Sequence, residues 1–183
     1  DCGGDMSVEH YINLYKQYAT AMTNYFNTDQ LFRIAVGPGS PNLYNWTEEI
    51  MKNVPARRFE GISIHHYSVN DWGNKGSSTK FTDEEYFKTI QQAWWMEDMV
   101  RNNSEIMDRF DPEKRVALIV DEWGGWYETD PEGNGQLYQQ NTIRDAMIAG
   151  LTLNIFNNHA DRVRMANLAQ LVNVLQSVIL TNE

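Results

Sequence analysis

Two short segments hold residues whose types and order could do chemistry. The first is Asp121-Glu122-Trp123-Gly124-Gly125-Trp126-Tyr127, which follows the apolar run Val116-Ala117-Leu118-Ile119-Val120. A carboxylate at the end of an apolar strand is costly to bury unless it is paired or functional. By strand alternation Glu122 has the parity of Val116, Leu118 and Val120, with Asp121 on the other face. Trp123 and Trp126 would then offer apolar walls of the kind on which sugar rings stack. A structural alternative stays open, in which either acid caps the next helix or pairs with an arginine. The second segment, Ile62-Ser63-Ile64-His65-His66-Tyr67, has the same design. His65 and Tyr67 share one face and His66 takes the other. A tyrosine hydroxyl or an imidazole N–H near a glutamate could hold that carboxylate ionised and nucleophilic. His65, His66 and His159 could also be read as metal ligands, but no helical H-x-x-x-H or acid-spaced set supports this. Neither a metal nor a cofactor is expected.

These segments need elements to position them, and the chain alternates strand and helix. Strands are expected at residues 31–37, 61–67, 115–122 and 151–156. The third is apolar on both faces, as a strand is when helices cover one side and a core fills the other. Ser7 reads as a helix N-cap before Tyr11, Leu14, Tyr15, Tyr18, Met22 and Tyr25 at helical spacing. A short helix is expected near residues 45–53. Thr82-Asp83-Glu84-Glu85 is a capping box that opens a long helix, which Asp111-Pro112 stops. Further helices are expected at about residues 136–149 and over Val163, Leu168, Val172, Leu175 and Ile179. This alternation implies parallel pairing with right-handed crossovers. A doubly wound sheet and half of a (β/α)8 barrel fit it equally. No G-x-G-x-x-G follows a strand, and polar residues gather where strands end: His65 to Tyr67, Asp121 and Glu122, and Asn157 to His159. That favours the barrel, whose C-terminal rim carries its active sites.

Composition narrows the classes further. The 183 residues allow one domain with a real core, expected over residues 1–183, but fall short of a complete barrel of roughly 250 residues. A formal charge of −10 and the absence of a Lys/Arg cluster argue against nucleic acid as partner. The one cysteine, Cys2, excludes an intrachain disulfide framework. The most apolar run, at residues 171–180, is interrupted by Asn173, Gln176 and Ser177 and is about half the ~20 residues of a membrane span, so no membrane partner is expected. The chain opens at Asp1 without a leader-like stretch, which reads as a processed product or a fragment. Cytoplasmic, periplasmic and secreted locations all stay open.

Val120-Asp121-Glu122-Trp123-Gly124 with Trp126-Tyr127 resembles the nucleophile motif of glycoside hydrolase family 51, the α-L-arabinofuranosidases. The resemblance continues through the segments Gln139 to Ala146, Asn154-Ile155-Phe156, His159 to Val163 and Ala169 to Val174. The opening Cys2-Gly3-Gly4 with Met6 is also similar to a stretch that closely follows the acid/base motif Gly-Asn-Glu in that family. The resemblance implies a TIM barrel of which this chain holds about the second half, strands five to eight. It implies a retaining mechanism that removes terminal α-L-arabinofuranosyl residues from arabinose-containing carbohydrates. Glu122 would be the nucleophile at the end of barrel strand seven. His65, Tyr67, Trp126 and Gln170 would contact substrate, with Tyr67 near the nucleophile. The acid/base glutamate would lie upstream of Asp1, so the isolated chain should be a poor hydrolase. Its natural partner would be the N-terminal half of the barrel, and the exposed strand edges leave pairing of copies open. A related endo-β-glucanase and a non-catalytic carbohydrate-binding fragment remain the alternatives.

Overall fold

The computed structural model describes residues 5–22, 24, 30–39, 43–131 and 137–181. The expected Cys2-Gly3-Gly4 segment, Tyr25 and the start of the helix expected at residue 136 lie outside them. Element order is α1 (Val8–Ala21), β1 (Ile34–Ala35), α2 (Tyr44–Asn53), β2 (Gly61–Ser68), α3 (Asp83–Phe110), β3 (Ala117–Gly125), α4 (Ile143–Asn158) and β4 (Val163–Leu168). The four strands form one parallel sheet in the order β1-β2-β3-β4. The architecture is thus an α/β fold with a parallel sheet.

Local signals set most of the helix boundaries. The Ser7 side chain accepts the His10 amide at 3.3 Å, capping α1. Thr82 and Glu85 exchange side-chain and backbone hydrogen bonds at the start of α3, which runs 28 residues until Asp111. Such reciprocal capping satisfies N–H groups that the first turn leaves open. Inside the sheet, Ile62, Ile64, Leu118, Val120 and Val163 pack with Met96, Met99, Ile155 and Phe156 from the helices in one core. Along the edges of the opposite sheet face, Phe32, Ile34, Val36 and Met165 stay exposed.

The fourth strand lies elsewhere than expected. Residues 151–156 are the second half of α4, and the strand is Val163–Leu168. A short apolar run reads equally as a buried strand or a buried helix segment. Here Thr142 and Asp145 form a capping box that commits the chain to a helix through that run, and Ile148, Thr152, Ile155 and Phe156 make its buried stripe. Leu153 remains 46% exposed, as one helical face should. Asn157, Asn158 and His159 therefore end a helix and not a strand. The helix expected over Val163 to Ile179 is absent. Val163 is buried against the helices while Arg164, Met165, Ala166 and Asn167 are exposed, so an edge strand covered on one side imitates an amphipathic helix. Beyond it, residues 169–181 form loops joined by a Val172–Ile179 bridge.

The start of β4 is fixed by a buried charge network. Arg162, 1% exposed, donates to Asp111 Oδ2 at 3.1 Å and to the Val116 carbonyl at 2.9 Å, and also pairs with Asp108. Burial alone would raise Asp111, but the Val116 amide and the Arg162 guanidinium hold its carboxyl below the usual range. The network ties the end of α3 to the starts of β3 and β4.

Candidate active site

The C-terminal ends of β2 and β3 bring the two chemical segments together. Their register runs Ile64 opposite Val120 and then His65 opposite Glu122, so Asp121 is the extra residue of a β-bulge. The bulge corrects the parity argument. Val116, Leu118 and Val120 pack toward the helices together with Trp123, whereas Glu122 is displaced to the face of His65 and Tyr67. His66 marks the helix side of β2, its Nε2 lying 2.7 Å from the Gln92 carbonyl of α3. Burial lowers the His66 pKa.

The Tyr67 hydroxyl donates to Glu122 Oε2 at 2.8 Å. Tyr67 is 7% exposed and packs with Val69, Ala169 and Leu175, while Glu122 is open to solvent. Burial first, and then the bond to the Glu122 carboxylate, raise the Tyr67 pKa, so the phenol keeps its proton and remains a donor. His65 Nδ1 lies 3.6 Å from Asp121 Oδ1. The Asp121 carboxylate raises the imidazole's pKa against the opposing effect of burial, and the Glu122 charge adds to the rise. Gly39 closes on this histidine, since a Cβ there would stand 2.6 Å from His65 Nε2.

The two tryptophans part company. Trp126 meets Tyr67 edge-on, with ring centroids 5.1 Å apart, and stays partly open. Trp123, expected to be a second wall, is 3% exposed and packs on Phe156 at 5.5 Å in the core. The bulge is the reason, because it returns Trp123 to the helix side. Gln170 is exposed and follows Ala169, which packs with Tyr67. Its backbone is held by Val174 and Val178, and among the described hydrogen bonds none joins its side chain to Glu122. His159, with Nε2 2.8 Å from Glu97, is a helix-end contact remote from this rim. Among the described residues no group of three or more His, Cys, Asp or Glu side chains is placed to hold a metal.

Residues not singled out by their chemistry hold the loop after β3. Gln139 accepts the Tyr127 amide at 2.9 Å and donates to the Gly125 carbonyl at 3.1 Å, and Gln176 accepts the Gly125 amide at 2.7 Å. Gly124 has φ +137°, and an added Cβ would stand 2.5 Å from Gln176 Cβ, so only glycine fits. The only signal in the sequence was the presence of Gln139 in the family-like run. Gln176 gave none, because its role depends on how the C-terminal loop returns.

A tyrosine-bound glutamate and a partly open tryptophan thus stand together at the strand ends of a parallel α/β sheet. The α-L-arabinofuranosidase C-terminal domain family matches residues 121–183. An intracellular exo-α-L-arabinofuranosidase of Bacteroides ovatus is 45% identical over all of this chain and 35% of its own length. The intracellular exo-α-(1→5)-L-arabinofuranosidase of Acetivibrio thermocellus is 25% identical over 96% of this chain and 36% of its own. The crystal structure of the family 51 arabinofuranosidase from Xanthomonas axonopodis pv. citri superposes with a TM-score of 0.93 at 42% identity, covering 99% of this chain and 36% of that one. The Thermotoga maritima α-L-arabinofuranosidase, at 23% identity and a TM-score of 0.73, shares the fold. The chain is related over its whole length to the family 51 α-L-arabinofuranosidases, and it spans about a third of the length of these relatives.

Proposed function

We propose that this chain is the nucleophile-bearing half of a (β/α)8-barrel exo-α-L-arabinofuranosidase acting with retention. The observation that carries the reading is the 2.8 Å bond from Tyr67 to Glu122 at the C-terminal ends of adjacent parallel strands. Glu122 attacks the anomeric carbon as the glycosidic C–O bond breaks. A second carboxyl, supplied by chain outside this segment and about 5–5.5 Å away, protonates the departing oxygen. That same group then deprotonates water, which displaces Glu122 and releases arabinose. Tyr67 fixes the attacking oxygen, while Trp126, His65 and Gln170 border the furanose. The exposed edge positions Phe32, Ile34, Val36 and Met165 are where the rest of the barrel would pack.

The test uses the longest reading frame that carries this chain, assayed with p-nitrophenyl α-L-arabinofuranoside. Glu122→Gln should remove nearly all turnover with the fold intact, because an amide keeps the shape but is a poor nucleophile. Azide added to Glu122→Gly should restore turnover and give a glycosyl azide of inverted configuration. An azide of retained configuration would assign Glu122 the acid/base role instead. The 183-residue chain alone should be inactive in the same assay, for want of the proton donor. A β-glucanase reading predicts turnover of β-glucosides in place of arabinofuranosides.

A further inference from the structure

The loop between β2 and α3 places Trp72 and Lys75, neither of which has a part in the proposed mechanism, against Trp126. Trp72 meets Trp126 edge-on, with ring centroids 5.7 Å apart at 80°, and is 62% exposed. Lys75 Nζ sits in the angle between the two rings, 6.0 Å from the Trp72 centroid and 5.4 Å from that of Trp126. Tyr67, Trp126 and Trp72 thus form a continuous wall leading outward from Glu122, with an ammonium group against its two tryptophans.

This loop is fastened from Lys75 to Ser78. The Glu128 amide donates to the Gly76 carbonyl at 2.9 Å, and the Lys75 amide donates to Glu128 Oε1 at 3.3 Å. Arg144, 1% exposed, lies between Phe81 and Tyr127, 3.8 Å from each ring centroid. It donates to the carbonyls of Ser77 at 3.0 Å and Ser78 at 3.3 Å. Trp72 and Lys75 are therefore presented from a braced loop, which lowers the ordering cost of binding.

Among the described residues no carboxylate lies within ion-pair distance of Lys75 Nζ, and Glu128 directs its oxygen to the backbone. The aromatic faces attract an ammonium without neutralising it. This leaves an ammonium group beside an exposed ring. A sugar with an apolar C–H face and a carboxylate matches both features, the face on Trp72 and the carboxylate on Lys75.

We propose that Trp72 and Lys75 form a leaving-group-side subsite selective for a uronic acid residue next to the scissile arabinofuranosyl bond. The location rests on Glu122 being the catalytic nucleophile; the ligand chemistry does not. The experiment compares kcat/KM for arabinofuranosyl oligosaccharides bearing a uronate beside the scissile bond with the same compounds after reduction of the carboxyl to an alcohol. The longest reading frame that carries this chain should prefer the acidic substrate by roughly two- to fivefold, the size a partly exposed ion pair supports. Lys75→Met should abolish that preference, Lys75→Arg should keep it, and raised salt should weaken it. Equal rates on both substrates, or a preference that survives Lys75→Met, would overturn the proposal. Calorimetry on the Glu122→Gln variant reads the same preference without turnover. If Glu122→Gln remains active while binding still follows Lys75, the nucleophile assignment fails and the subsite stands.

Discussion

Replacing Tyr67 by phenylalanine removes one oxygen and keeps the ring, so it isolates the bond to Glu122. The donor side is buried at 7% exposure, while the carboxylate faces solvent in this chain. A hydrogen bond to a charged group is worth about 1.5–3 kcal/mol, and the solvent-facing acceptor places this one near the lower end. At about 1.4 kcal/mol per factor of ten, kcat should fall roughly tenfold. KM should hardly change, because in the proposed mechanism the hydroxyl steadies the attacking oxygen more than it binds the sugar. Stability should fall by at most about 1.5 kcal/mol. The edge contact with Trp126 and the packing on Val69, Ala169 and Leu175 survive in phenylalanine, and Glu122 can turn to water. The assay is steady-state hydrolysis of p-nitrophenyl α-L-arabinofuranoside by the longest reading frame, alongside a thermal melt. A loss of less than twofold with an unchanged melt would refute the claim that Tyr67 positions the nucleophile. So would a loss confined to KM.

Asp121→Asn should return His65 toward its ordinary pKa, measurable by imidazole NMR. Because the His65 pKa is raised in the folded protein, its pairing with Asp121 stabilises fully below the unfolded histidine value and is lost as pH rises through the folded one. The melting difference between wild type and Asp121→Asn should therefore be larger at pH 5.5 than at pH 8.5; a pH-independent difference would discount the pair. Gly124→Ala forces a Cβ against Gln176 at a left-handed φ and should cost about 2–4 kcal/mol in urea denaturation, with activity reduced through the displaced loop. Arg162→Met strands the buried Asp111 carboxylate and should cost about 3–5 kcal/mol, partly recovered by adding Asp111→Asn. A wild-type urea midpoint for Arg162→Met would show that the network contributes nothing.

Local chemistry in the sequence was enough for several elements. Ser7, Thr82 and Asp111-Pro112 mark helix ends because caps act within one turn of chain, and the apolar run before Asp121 marks a strand covered on both faces. The residues His65, Tyr67, Glu122 and Trp126 could be picked out as a group because each follows an apolar run, and the family resemblance supplied their order. Periodicity could not decide residues 151–156 or 163–168, since a short apolar run and a one-sided edge strand both lack a distinguishing period. The capping box at Thr142, itself a local signal, carries residues 151–156 into a helix, and the buried Arg162 fixes the start of β4 through contacts distant in sequence. Strand alternation likewise put Glu122 on the face of Val120 and gave Trp123 a place at the rim. The bulge at Asp121 reverses both, and a bulge arises from how β3 must twist against β2, not from the residues of β3 alone. Tertiary structure alone brought Trp72 and Lys75 beside Trp126, because nothing in a Gly- and Ser-rich loop says which strand end it will fold across until Arg144 and Glu128 hold it there.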